Sequence, residues 1–569
     1  MKRTITLLLL LATTALYSQE RQNLWPKGLM PDRSDLQIAA MRDVARKPDF
    51  KPNKNREPFL YWYEAPAEPN GGCMILISGG SYQNLYDVGL IETWHQELTK
   101  LGFQCVNLVY RTPRPRGLPI YQTAWEDGQR AVRLVRSQAA KRGFDPEKIG
   151  TISMSAGSHL AILLAGNSLS HAYVPVDKLD TIPCHINWAI VNSPAYVTTD
   201  GEKGSRATRE GYGPDVKLSP VFNFDAKTCP MSLHHGGTDP YSPNGSVLVY
   251  RKLHSIGVPA ELHIYPNEGH KPLGFDRAVE FMRQMGYLPA LGPEEKVMER
   301  FTSDEDRDDS RYKKEFIWPE GKTPNYQQHM NEPYIEWHFP KELKTTAIQI
   351  VYSGGAYRRN SPENVEGGPT RRFFNSKGMT VVTLKYRSPR PTEDSGLEKY
   401  TCAWQDLQRA IRIVRKEAPS YGLDPDRIGI FGGSAGGHLT LMGATSSLHQ
   451  SYLPIDDIDK ISCTVQWGLA LYPAYGHFRT EDGKYWLVPD FSFDKATAPC
   501  IFMHGDADYC LAINSVLAWE KMRAIGVQSE LHILALRTHV FQKQAAPGTG
   551  SYNYLDHMWD YMTRMGFNK

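Results

Sequence analysis

The chain has 569 residues, 41% of them hydrophobic and 22% charged, with 65 Lys and Arg against 62 Asp and Glu for a net charge of +3. That much apolar material supports large packed cores and excludes disorder over most of the chain. The near balance of charge, without a long single-sign run, excludes a nucleic-acid binder built on a basic face.

The N-terminus reads Met1-Lys2-Arg3, then an apolar run from Ile5 to Leu16, then Tyr17-Ser18-Gln19-Glu20. A basic head, a short apolar stretch and a small residue before a polar start describe a secretory signal peptide over residues 1–18, cleaved near Ser18. A membrane anchor needs about 20 apolar residues, more than this run provides. An exported protein, periplasmic or secreted and without a membrane span, is therefore expected. No cysteine precedes Cys73, which excludes a lipid-modified cysteine at the cleavage site.

In chain order, Cys73–Ile77 is an apolar strand followed by Gly79-Gly80, a helix covers Leu90–Leu101, and Cys105–Tyr110 is the next strand. Ala124–Ala140 carries apolar residues at helical spacing. Lys148–Ser153 is a strand and His159–Gly166 a helix. Strands near Ile186–Val191, Met231–His234 and Glu261–Tyr265 follow, with helices near Val247–Ser255 and Asp276–Met285. Strands alternating with helices predict the α/β class, a mostly parallel sheet flanked by helices.

The chain repeats itself. Trp25-Pro26-Lys27-Gly28 recurs as Trp318-Pro319-Glu320-Gly321, and Ser78-Gly79-Gly80-Ser81-Tyr82 as Ser353-Gly354-Gly355-Ala356-Tyr357. Tyr110-Arg111 recurs as Tyr386-Arg387, each before a Pro-rich run, and Ala124-Trp125 with Asp127 as Ala403-Trp404 with Asp406. The order holds at a shift of roughly 270–290 residues, too long for a solenoid unit. The expected organisation is a signal peptide at 1–18, one α/β domain at 19–292, a charged solvated linker at 293–315 and a second α/β domain at 316–569.

Each repeat has a strand–turn–helix junction of the nucleophile-elbow kind. It is Gly432-Gly433-Ser434-Ala435-Gly436 in the second and Ser153-Met154-Ser155-Ala156-Gly157 in the first, where Ser153 replaces the first glycine. Small residues two before and two after the serine are needed because the turn is tight. Asp239 follows in His235-Gly236-Gly237-Thr238-Asp239, and Asp508 in His504-Gly505-Asp506-Ala507-Asp508. His270 and His539 come next, each 31 residues past its aspartate. A serine hydroxyl is a poor nucleophile until an imidazole takes its proton, and a carboxylate must fix that imidazole. The expected catalytic groups are Ser155, Asp239 and His270, and Ser434, Asp508 and His539. Oxyanion donors are expected from Gly80, Ser81 and Ala156, and from Gly355, Ala356 and Ala435. No G-x-x-x-x-G-K-[ST] follows either Gly-Gly turn, so no nucleotide is expected.

Other residues take blander roles. His159 and His438 are read as packing residues, His235 and His504 as structural, and Asp127 and Asp406 as helix-to-loop tethers together with Trp125 and Trp404. Arg111 and Arg387 are open between substrate contact and loop rigidity. Asp177, Asp180, Asp457 and Asp459 could replace the acid only in a different fold. The eight cysteines form no C-x-x-C pair and no Cys/His ligand set, so buried small hydrophobes are expected, one or two disulfides stay open, and neither metal nor cofactor is expected.

On the Trp-Pro-x-Gly start, the Gly-Gly-x-Tyr loop, the Tyr-Arg strand end, the serine elbow, His-Gly-x-x-Asp, the last histidine and Tyr173-Val174-Pro175-Val176-Asp177, both halves resemble secreted α/β-hydrolase esterases related to acetyl xylan and feruloyl esterases. The resemblance implies removal of acyl groups from plant polysaccharides or their fragments. The first repeat has the longer loop between Cys184 and Asp225, 41 residues against 31 between Cys463 and Asp494, so two centres of different preference are expected. A prolyl-oligopeptidase-like peptidase, or a carbohydrate-binding protein with a dead centre, are the alternatives. The acyl group, the glycan and the oligomeric state are not legible.

Overall fold

The computed structural model describes residues 20–31, 57–85, 88–115, 117–199, 216–289, 301–543 and 554–569. The expected signal peptide lies outside these residues. Packing divides the chain into two compact units, residues 1–189 with 225–228, and residues 190–224 with 229–569.

In the first unit the strands are β1 (Glu20–Asn23), β2 (Phe59–Trp62), β3 (Cys73–Ile77), β4 (Gln104–Val109) and β5 (Ile149–Met154), ordered β1-β2-β4-β3-β5. β3 pairs in parallel with β4 and β5, whereas β2 and β1 add on antiparallel. Every residue of β3 is buried, as a continuous apolar run covered on both faces must be. The longer described helices of this unit are α1 (Val88–Lys100), α2 (Gln122–Ser137) and α3 (Ala156–Gly166).

Three of the repeated motifs are one buried knot. Trp25 Nε1 donates to Asp127 Oδ1 at 2.8 Å, and the backbone N–H and Nε of Arg111 donate to the same carboxylate at 2.8 and 3.0 Å. Arg111 also pairs with Glu126 and is 1% exposed, which assigns it to structure. The tether was expected through Trp125; the indole that makes it is Trp25, because the chain start folds back over α2. Asp177 caps a 3-10 turn with Asp180 in a capping box, and both bind Arg130.

β6 (Trp188–Asn192) straddles the division between the units. The second unit continues with β7 (Met231–Gly236), β8 (Ala260–Tyr265), β9 (Lys313–Phe316), β10 (Tyr334–His338), β11 (Ile348–Tyr352), β12 (Thr380–Lys385), β13 (Ile428–Gly433), β14 (Trp467–Leu471), β17 (Cys500–Gly505) and β18 (Glu530–Leu534), with a hairpin of β15 (His477–Arg479) and β16 (Tyr485–Leu487). The sheet runs β7-β8-β18-β17-β14-β13-β11-β12-β10-β9. Helices α4 (Asn244–Ser255), α5 (Phe275–Gln284), α6 (Gly367–Ser376), α7 (Thr401–Glu417), α8 (Ala435–Thr445), α9 (Ile513–Ala524) and α10 (Tyr554–Met565) accompany it. The knot recurs with Trp318 and Arg387 on Asp406, and the capping box with Asp456 and Asp459 on Arg409.

The division between units falls inside the first repeat rather than at 293–315. The reason lies in β8, which pairs antiparallel with β18 and so carries β7 and β8 into the sheet of the second repeat. At this joint His263 faces His532, their Nδ1 atoms 2.8 Å apart. Outside them Glu261 lies 3.0 Å from His263 Nε2, and Glu530 lies 2.7 Å from His532 Nε2. Burial lifts the Glu261 carboxyl to about 7.

The described part of the expected linker is also built in. Asp304 accepts from Arg371 and Arg372 of α6, and β9 starts at Lys313. Asp304 of the charge run therefore finds partners on the second repeat, while Glu305, Asp306 and Asp309 stay exposed. All eight cysteines are free and seven are buried.

Gly429 on β13 lies under the Trp467 indole, where an added Cβ would stand 1.9 Å from ring atoms. Gly429→Ala is expected to cost about 1–3 kcal/mol through overpacking, read as a lower urea midpoint.

Candidate active site

The second repeat's elbow joins β13 to α8. Ser434 adopts φ 56°, a left-handed conformation that presents its Oγ beyond the strand. The close approach explains the glycines: a Cβ on Gly432 would sit 2.5 Å from Gly436 backbone and 2.6 Å from the Tyr352 ring.

Folding brings the three expected groups together. Ser434 Oγ is 2.8 Å from His539 Nε2, and His539 Nδ1 is 2.8 and 2.9 Å from the two Asp508 oxygens. A carboxylate only accepts, so Nδ1 carries the ring proton and Nε2 is free to take the serine's. Burial presses the Asp508 carboxyl upward, but hydrogen bonds from His504 and His539 outweigh it and hold it below the usual range. The acid thus stays ionised through mildly acidic pH. His504 is structural, as expected: its Nε2 donates to the Cys510 carbonyl at 2.6 Å and its Nδ1 meets Ser515 Oγ at 2.8 Å, which shapes the Asp508 loop. Asp508→Asn is expected to lower kcat by roughly 10⁴-fold through the wrong tautomer while folding normally. Paired circular dichroism and kinetics measure both.

Ligand-type atoms of Asp508, Cys510 and His539 lie within 4.8 Å of one another. Burial pushes the Cys510 thiol up to about 12, so it remains a thiol while Asp508 and His539 are already bonded to each other. This geometry serves the triad better than a metal.

Gly355 and Ala356 have φ 113° and 56°, turning the loop after β11 beside the elbow. Among the described residues, the backbone N–H groups of Gly355, Ala356 and Ala435 donate to no protein acceptor, which leaves them available to an oxyanion. Gly80 and Ser81 repeat the conformation at φ 125° and 55°.

In the first unit, Ser155 has φ 58° and Ala156 opens α3. Ser153 Oγ is 3.0 Å from Ser158 Oγ, so the hydroxyl that replaces the elbow glycine's hydrogen is satisfied. The residue matching Tyr352 is Ile77, which removes the ring that a Cβ at this position would strike in the second repeat. In the second unit, His270 Nδ1 lies 2.8 Å from Asp239 Oδ2. Burial raises the Asp239 carboxyl and hydrogen bonds from His235 and His270 lower it further than that, leaving it well below its ordinary value.

His159 and His438 are packing residues. Each ring meets a tyrosine hydroxyl, Tyr82 at 2.8 Å and Tyr357 at 2.9 Å, and burial lowers His159 to about 3. Asp457 is exposed and pairs with Lys460.

Glu366 is the group that sequence reasoning missed. It is buried beside the elbow, accepts from the Gly354 N–H, and accepts from Tyr472 OH at 3.0 Å, while Gln542 donates to Tyr472. The Tyr472 ring packs 4.7 Å from His539. Gly433 is required here because a Cβ would stand 2.9 Å from the Glu366 carboxyl. The first repeat has Met154, Ser193 and Leu273 at the positions of Gly433, Tyr472 and Gln542, so no shared motif marked this network.

The sequence pattern of the BD-FAE family matches twice, at residues 62–181 and 336–464, and that of the prolyl oligopeptidase family matches residues 401–565. An acetylxylan esterase of Xylanibacter ruminicola is 24% identical over 238 residues, 40% of this chain and 46% of that protein. A probable carboxylic ester hydrolase, LipM, of Mycobacterium tuberculosis is 28% identical over 152 residues, 26% of this chain and 33% of that protein. The chain thus spans a third to under half the length of these curated relatives. Among solved structures, an acetyl ester-xyloside bifunctional hydrolase from Caldicellulosiruptor lactoaceticus is 22% identical with a TM-score of 0.37, covering 45% of this chain and 97% of that one. Esterase 2 of Thermogutta terrifontis is 21% identical with a TM-score of 0.37, covering 47% of this chain and 96% of that one. With a mostly parallel sheet flanked by helices and a serine elbow after β13, the fold class is that of the α/β-hydrolases.

Proposed function

We propose that this chain is a serine carboxylic-ester hydrolase that removes acetyl or other acyl groups from plant-type polysaccharides, exported by its N-terminal signal and built as a tandem duplication. The observation that carries the reading is the unbroken hydrogen-bonded line from Ser434 Oγ through His539 to Asp508. His539 Nε2 takes the serine proton as Oγ attacks the acyl carbon. The oxyanion gathers N–H donors from Ala435 and the Gly355-Ala356 turn. The imidazolium, steadied by Asp508, then gives its proton to the departing sugar oxygen. Water repeats the sequence on the acyl-enzyme and frees the acid. Ser155, His270 and Asp239 are proposed to do the same in the first repeat, with a different preference because Met154, Ser193 and Leu273 replace the polar network beside Ser434.

The match of residues 401–565 to the prolyl oligopeptidase family keeps a peptidase as the second reading. Acetyl, feruloyl and methyl-uronate esters assayed beside peptide 4-nitroanilides separate the two. Ester turnover with stoichiometric organophosphate labelling of Ser434 is expected, and anilide cleavage without ester preference would overturn the proposal.

A further inference from the structure

A groove of about 1120 Å³ runs through the second unit between α4 on one side and the β15–β16 hairpin with α9 on the other. Among its described lining residues are Arg251, Arg479, Lys484 and Lys521, against Glu520. Arg251 and Glu520 neutralise each other at 2.8 Å, and Lys484 and Asp482 do so at 2.6 Å, which leaves Arg479 of the hairpin and Lys521 of α9 as the cations that face the groove without a carboxylate partner among the described residues. Trp486 lines the same groove with half its surface exposed, and Phe478, directly opposite it in the hairpin register, is nearly as exposed. Two large aromatic side chains held side by side in water on a three-residue hairpin contribute little to a core, whereas they form a flat apolar platform.

Several lining residues follow the catalytic segments closely in the chain. The hairpin starts two residues after Tyr475, whose ring stacks on Tyr357 of the oxyanion loop. Leu511, in the groove lining, is three residues past Asp508, and Asn244 is five past Asp239. A ligand in the groove would thus touch Leu511 and Asn244, at the far ends of the loops that follow the two aspartates. Loops at the carboxyl ends of parallel strands are where such folds recognise ligands.

We infer that this groove binds a polysaccharide chain bearing carboxylate substituents, with sugar rings laid on Trp486 and the acidic groups met by Arg479 and Lys521. The inference rests on the esterase reading for its polymer, and names the anionic character that reading leaves open. Sugar rings offer an apolar face that matches an indole, and a uronate carboxylate matches a guanidinium or ammonium.

The test uses the full chain with Ser155→Ala and Ser434→Ala, so that the polymer stays intact, and measures retardation in native gels containing glucuronoxylan or its carboxyl-reduced derivative. Binding to glucuronoxylan is expected to weaken about tenfold on Trp486→Ala and on Arg479→Ala, and to fall with salt. The carboxyl-reduced polymer is expected to bind weakly and without salt dependence. Unchanged far-ultraviolet circular dichroism of each variant is expected and shows that the fold is kept. Equal binding of both polymers, or binding unaltered by Trp486→Ala, would overturn the groove. Absence of 4-nitrophenyl acetate hydrolysis by the native chain would instead overturn the esterase reading, and retardation would still report on the groove.

Discussion

Ser434→Ala introduced into a chain already carrying Ser155→Ala should lower kcat/KM on 4-nitrophenyl acetate by roughly 10³-fold or more, leaving only what the oxyanion donors and substrate binding supply. The size of the effect follows from the linkage of the group. Ser434 Oγ has His539 Nε2 at 2.8 Å as its proton acceptor, and with the oxygen removed no other hydroxyl takes its position on the elbow. Adding His539→Ala to that double variant should cost little more, because members of one proton relay act as a unit. The single Ser434→Ala variant measures the first centre by itself. If Ser153 and Ser158 accommodate the elbow as their contact indicates, that variant keeps measurable activity with a different ranking of esters. Equal fractional loss on every ester in the two single variants would mean the centres do not differ in preference.

The second large effect concerns stability. Asp406→Ala should cost about 3–5 kcal/mol, because it leaves the Arg387 guanidinium charged and unpaired in the interior. Arg387 donates to Asp406 through its backbone N–H and Nε and shows no solvent exposure at its side chain. Trp318 loses its acceptor in the same step. A fall in the urea midpoint accompanied by loss of activity is expected, while Arg387→Lys should recover only part of the stability because one ammonium cannot reproduce the fork. A midpoint within about 0.5 kcal/mol of the native chain, the range of an ordinary surface change, would remove this knot from the framework.

What could be read in the sequence follows the kind of signal each element carries. The central strand Cys73–Ile77 and the elbows were legible because buried parallel strands are continuous apolar runs and the serine turn admits only small neighbours. The edge strands Glu20–Asn23 and Lys313–Phe316 were not, since they are short and half-exposed and their pairing is set by distant partners. Asp127 was recognisable as a tether, but its indole partner lies 102 residues away and only folding could choose Trp25 over the adjacent Trp125. Glu366 carries no motif at all; its role comes from a loop that brings a carboxylate under the Gly354 amide.

The pairing of β8 with β18 sets matching residues of the two repeats face to face, yet its centre cannot be even-handed. Two imidazole nitrogens 2.8 Å apart need a hydrogen between them, and one ring must supply it. The donor direction then runs a single way along Glu261, His263, His532 and Glu530, with one terminal acid ionised and the other, or its histidine, keeping the additional proton. Arg564 grips Glu530 with Nη2 2.6 Å from both oxygens, whereas the matching residue of the first repeat is the uncharged Gln284. The two ends of the line are thereby unlike: an arginine holds Glu530, whereas Glu261 accepts from the Ala535 N–H at 3.3 Å and lies in the field of Arg277 and Arg537.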